Sequence, residues 1–163
     1  MLSKKQQIIG LIICLVISFV VAAAGAVASI QAAEFYANML QPQWSPPGWV
    51  FGPVWTVLYG MMALAAWLVW RLDGFIAARA ALSLYLLQLV FNVLWSWLFF
   101  AWHLGALAFI DIVLLWVSIL FTILSFRHHS KLAMYLLVPY LLWVSFAAVL
   151  NFSMWQLNPT ILG

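Results

Sequence analysis

Charge is what this chain has least of. Lysine, arginine, aspartate and glutamate make up 6% of its 163 residues, where a soluble domain carries about a quarter, and the hydrophobic share is 69%. An ordinary soluble globule is excluded, and the chain reads as an integral membrane protein. Cys14 is the single cysteine, so neither an intrachain disulfide nor a cysteine metal cluster is available. His103, His128 and His129 sit at the ends of apolar runs, which argues against haem held by axial histidines inside a bundle and leaves no metal site. A Gly-rich phosphate loop, an HExxH helix and a nucleophile–His–acid set are all missing. No catalytic residue is assigned on these grounds, and enzymatic activity stays an open question. The six cations are scattered in separate clusters and form no basic stripe, so nucleic acid is not an expected partner.

What the chain does have is long uncharged runs. Trp44–Trp70 is the most marked of them: a proline-rich turn, WSPPGW, passes straight into an apolar stretch. Ser45 is placed to cap the first turn, with Pro46 and Pro47 where unpaired N–H groups are expected. Gly48–Trp70 covers roughly 34 Å as helix, enough to cross a hydrocarbon core of about 30 Å. Further runs give spans over about 7–31, 80–102, 105–126 and 132–155, the last containing Pro139. A cleaved signal peptide competes for the first run, whose length exceeds the usual apolar region of such a peptide. Its small residues Ser18, Ala22, Gly25, Ala26 and Ser29 form a smooth stripe suited to close helix packing. The fold expected is an all-α integral membrane protein, one five-transmembrane-helix bundle over residues 1–163. His103–Gly105 leaves room only for a tight hairpin, so the third and fourth spans are antiparallel neighbours.

Every lysine and arginine falls in the N-terminal segment, the second connection or the fourth. The positive-inside rule makes these cytoplasmic and puts the first connection and the C-terminus on the opposite side. The first connection, Gln31–Gln43, is long and polar and is a candidate lid over the bundle mouth.

Helix rise converts position into depth from the uncharged side: Trp55 and Ser96 lie about 9 Å down, Tyr59 and Asn92 about 15 Å, Trp143 about 18 Å and Asn151 about 6 Å. Trp55 and Tyr59 share one face of the second span. Asn92 and Ser96 share a face of the third, and Trp143, Ala147 and Asn151 of the fifth. These faces are expected to converge under the first connection as a pocket for a flat apolar ligand, which needs apolar walls and a few hydrogen bonds. Asp111 is the one acid well inside a span. It is either a gating group or a structural carboxyl, with Ser96 as its depth-matched partner. Trp44, Trp49, Trp70, Trp102 and Trp155 lie at the interfaces, where indole is favoured without a ligand.

At these residues the chain resembles the tryptophan-rich sensory protein/translocator protein family, also called the peripheral-type benzodiazepine receptor family. The resemblance rests on QPQWSPPGWVFGPVWTVLYGMMALAAWLVW (41–70), QLVFNVLWSWLFF (88–100), LAFIDIVLLW (107–116) and VPYLLWVSFAAVLN (138–151). It implies a five-helix bundle, commonly a homodimer, that binds porphyrins, sterols and synthetic aromatic ligands in a pocket closed by the first loop. Tyr36, Trp55, Asn92 and Trp143 match family pocket positions. The ligand implied is a protoporphyrin-type porphyrin, with no cofactor required. Some members promote light-dependent porphyrin breakdown with the tryptophans matched by Trp55 and Trp143. The alternative reading of the same pocket is a transit site in a transporter of tetrapyrroles or sterol-like lipids, with Asp111 as its gating group. The sterol pattern expected near the end of the fifth span is not met, since VLNFSMWQLN has Phe152 in place of a tyrosine and no basic residue after it.

Overall fold

The computed structural model describes residues 2–163. Five of its helices are long and apolar enough to cross a membrane: α1 (Lys4–Ala28), α3 (Phe51–Ala77), α4 (Arg79–Ser96), α5 (Gly105–His129) and α6 (Lys131–Leu157). The chain is a multi-pass, all-α membrane protein. Two short helices complete it, α2 (Ala32–Asn38) within the first connection and α7 (Pro159–Leu162) after the last span.

Local chemistry explains where the helices begin. Ser3 makes a capping box at α1: its hydroxyl accepts from Gln6 N at 3.2 Å, and its own N–H donates to Gln6 Oε1 at 2.8 Å. Ser130 separates α5 from α6 and caps the latter by accepting from Ala133 N at 3.2 Å. Ser45, expected to cap the second span, does not: its hydroxyl donates instead to Gln41 Oε1 at 3.1 Å. The reason lies in the two prolines, each of which disfavours a helical conformation in the residue before it. The chain stays extended through Pro47 (ψ 142°) and turns helical only at the 3₁₀ turn Gly48–Val50, which leads into α3.

The helices outrun their apolar stretches. α3 continues past Trp70 through Arg71, whose guanidinium lies 4.5 Å over the Trp67 ring, until Gly74 (φ 73°) bends the backbone in a region that suits glycine. α4 passes into a single π-helical turn, Trp97–Ala101, and His103 (φ 54°) reverses the chain into α5. The third and fourth spans are the tight antiparallel pair expected, closed by Leu104 N–H donating to Leu98 O at 2.8 Å.

Neighbouring helices form a ring in the order α1, α3, α6, α5, α4 and back to α1. Indole N–H groups tie several of these contacts. Trp67 Nε1 donates to Gln7 O at 2.8 Å (α3 to α1), and Trp116 Nε1 to Ser145 Oγ at 2.8 Å (α5 to α6). Trp44, Trp49 and Trp102 are exposed at the ends of the bundle, as interfacial indoles should be. Cys14 is half-buried and free.

Candidate functional site

The centre of the ring is polar. Tyr59 (α3) donates its hydroxyl to Asn92 Oδ1 (α4) at 2.5 Å, and Asn92 Nδ2 donates to the Tyr140 hydroxyl (α6) at 2.7 Å. Tyr140 in turn donates to Gln88 Oε1 at 2.7 Å, and Gln88 Nε2 reaches Met62 Sδ at 3.8 Å. All five side chains are buried, so a chain of bonds across three helices meets polar needs that lipid and apolar side chains cannot.

Above this network, on the side away from the charged connections, a cavity of about 580 Å³ opens. Its floor and walls come from Tyr59 and Trp55 of α3, Asn92, Trp95 and Ser96 of α4, and Ala147 and Asn151 of α6. Phe99 and Phe100 of the π-turn line it, and α2 lends Ala32, Ala33 and Tyr36. None of the lining residues carries a formal charge. The walls are aromatic: the Trp55 ring lies 5.9 Å from Tyr59, 6.4 Å from Trp95 and 6.1 Å edge-on to Tyr140. Polar points are few and fixed. Asn151 accepts from Trp95 Nε1 at 2.9 Å and donates to Gly105 O at 3.2 Å, which holds the Trp95 indole in place.

The roof is tied on both sides. Tyr36 donates its hydroxyl to Pro46 O at 3.0 Å, and Gln41 Nε2 donates to Tyr36 O at 2.6 Å. Asn158, beyond α6, accepts from Leu40 N at 2.9 Å and donates to Leu40 O at 2.9 Å. Phe35 stacks on His103 with ring centroids 4.3 Å apart. The candidate lid is thus a short helix packed over the opening rather than a free loop.

Of the residues picked from the sequence, Tyr36, Trp55, Tyr59, Asn92, Ser96, Ala147 and Asn151 are brought together around this cavity. Trp143 lies one layer back. It packs edge-on against Phe51 at 5.8 Å and beside Phe146 at 5.2 Å, and its indole N–H is buried without an acceptor among the described residues. Asp111 is buried on α5, the one long helix that lends nothing to the cavity wall, and its Oδ2 has no partner among the described residues. The pairing with Ser96 expected from depth does not form, because the Ser96 hydroxyl turns back to Asn92 O at 3.4 Å within its own helix. Periodicity within single spans does not single out Trp95 or the α1 wall of Ala22, Gly25, Ala26 and Ser29, nor Tyr140 in the network below and Asn158 at the roof. The α1 stripe was visible, but small residues signal room for a neighbour without saying whether that neighbour is a helix or a ligand. No group of three or more His, Cys, Asp or Glu side chains suited to a metal ion occurs among the described residues.

Comparison with known proteins bears on this arrangement. Residues 11–156 match the TspO/MBR family. The chain is 40% identical over 160 residues to the tryptophan-rich protein TspO of Chlorobaculum tepidum, covering 95% of this chain and 99% of that protein. It is 40% identical over 127 residues to the translocator protein of Ovis aries, with 77% and 75% covered. To the tryptophan-rich sensory protein of Cereibacter sphaeroides it is 40% identical over 125 residues, with 77% of each chain covered. The chain belongs to the TspO/MBR family.

Proposed function

We propose that this member of the TspO/MBR family is a membrane receptor for a flat, hydrophobic tetrapyrrole of the protoporphyrin type, taken up in the cavity under α2. One observation carries the reading: an uncharged cavity of about 580 Å³, walled by indole and phenol rings with a few oriented amides, whose size falls in the range of about 300–1,000 Å³ usual for small-molecule sites. Trp55 and Trp95 present faces for stacking, Asn92 and Asn151 supply hydrogen bonds, and Tyr36 closes the top. Trp143 acts through Phe51, shaping the wall rather than touching the ligand. Sterols and synthetic aromatic ligands share the apolar chemistry and compete for the same space. No cofactor is needed for binding, and the binding unit is a homodimer in the bilayer. The orientation proposed has the N-terminus cytoplasmic, with the first connection and the C-terminus on the opposite side.

Saturable quenching of tryptophan fluorescence by protoporphyrin in detergent tests the site. Trp55→Phe with Trp95→Phe weakens binding about tenfold, given about 0.5–1.5 kcal/mol per aromatic pair beyond burial. Unchanged affinity in that double variant removes the site assignment. A transporter that uses Asp111 as its gate is the competing reading. Since Asp111 is not on the cavity wall, Asp111→Asn leaves affinity unaltered, and porphyrin flux into proteoliposomes that vanishes in this variant would favour transport over sensing. Light-dependent porphyrin breakdown is a third reading, supported by the placement of Trp55 on the wall. It requires product in light, none in darkness, and loss of product in Trp55→Phe.

A further inference from the structure

The cavity is not closed on all sides, and its open side is in the membrane. α1 packs on α3 through contacts in the half of the bundle nearer the charged connections. There Trp67 bonds to Gln7 O, and Trp70 covers Gly10 so closely that an added Cβ would overlap its ring. In the other half α1 leans on α4 instead. There Trp97 Nε1 donates to Ala24 O at 3.2 Å, and a Cβ at Gly25 would sit 3.3 Å from Ser96 Oγ. The antiparallel register set by the first contacts brings Ala26 opposite Gly52 and Ala23 opposite Thr56. All four line the cavity and all four are exposed. A Cβ added at Gly52 would meet no atom within 4 Å, so the space beside α3 is open at this position. Phe19, 40% exposed and also on the cavity wall, stands at the lower end of the gap.

From this we infer that the slit between α1 and α3 is a side entrance through which an apolar ligand dissolved in the bilayer reaches the cavity without leaving the lipid. Residues on two facing helices are at once cavity wall and outer surface, at a depth where the surrounding solvent is hydrocarbon. The roof, by contrast, is fastened at Tyr36, Gln41 and Leu40. Ligands entering this way are drawn from the membrane-dissolved pool, so their on-rate follows ligand per lipid rather than the aqueous concentration. The nature of that ligand rests on the porphyrin reading above; the entrance itself does not.

Two measurements in phosphatidylcholine vesicles test it. In a Cys14→Ser background, a nitroxide attached at Ser96→Cys inside the cavity is expected to collide readily with oxygen, which concentrates in hydrocarbon, and poorly with a water-soluble nickel chelate. Adding Ala23→Phe and Thr56→Phe, singly and together, lowers the oxygen collision rate several-fold. Nickel access exceeding oxygen access, or oxygen access indifferent to these substitutions, overturns the entrance. In the second measurement, stopped-flow quenching by protoporphyrin, the paired substitution slows association and dissociation together, each by about tenfold, while affinity moves far less. If protoporphyrin does not quench even the unsubstituted protein, the porphyrin reading fails and the oxygen result alone decides the slit.

Discussion

The hydroxyl of Tyr140 accepts from Asn92 Nδ2 and donates to Gln88 Oε1, so its loss would strand two amide groups in a fully buried place. Tyr140→Phe is expected to cost about 1–3 kcal/mol, the penalty for leaving buried polar groups unpaired, and to appear as a lower unfolding temperature in detergent. An unchanged midpoint would show that the network is dispensable. Asn92 was legible in the sequence because an amide is conspicuous in an apolar span; Tyr140 was not. The spacing Trp143, Ala147, Asn151 suggests one face, yet steps of four residues drift by about 40° each at 3.6 residues per turn. Trp143 therefore ends up about 80° from Asn151, whereas Tyr140 is only about 20° away and takes the inward position. Choosing between them needs the partner helices, which periodicity within one span does not supply. Asp111 was legible as an anomaly, but its place behind the cavity wall depends on how α5 turns in the ring.

At the scale of elements, α2 is the part whose position is least prefigured by its own residues. Seven residues make a marginal helix, and its placement comes from what grips it: Pro46, Gln41, His103 and Asn158. Asn158→Ala removes both bonds to Leu40 and is expected to raise amide exchange over residues 32–41 and to speed ligand release, with little change in the exchange of α5. Exchange that stays slow across the roof would mean that the aromatic contacts of Phe35 suffice. Along α1 small residues meet different neighbours, and Gly10, outside the stripe read from the sequence, is more tightly covered than Gly25 within it. Gly10 lies in the inner half, where Trp70 covers it, while Ala22, Gly25 and Ala26 farther along the same helix line the cavity. Gly10→Ala should destabilise by about 1–3 kcal/mol, as overpacking does, because the Trp70 ring must move; thermal unfolding reads this directly.

Over the whole molecule, positive charge and cavity are segregated. Lys4, Lys5, Arg71, Arg79, Arg127 and Lys131 gather at one end, where His129 Nδ1 and Asp73 Oδ2 also join the α5–α6 turn to the end of α3. Tyr36, Trp55, Ser96 and Asn151 lie toward the other. The long uncharged runs marked the five spans, since a hydrocarbon core penalises charge wherever the chain crosses, and the clustering of the cations set the alternation expected for them. In a Cys14→Ser background, Gln43→Cys and His128→Cys, both at exposed positions, should react with an impermeant maleimide from opposite faces of the membrane, His128→Cys from the cytoplasmic one. Labelling of both from the same face would refute the orientation.

The clasp between Leu40 and Asn158 joins positions 118 apart. A ribosome delivering this chain into a bilayer finishes α1, α2 and α3 long before the asparagine that fastens the roof has been made. The cavity is accordingly among the last parts to be assembled. Nascent chains stalled before Asn158 should insert and pack while still unable to retain a guest.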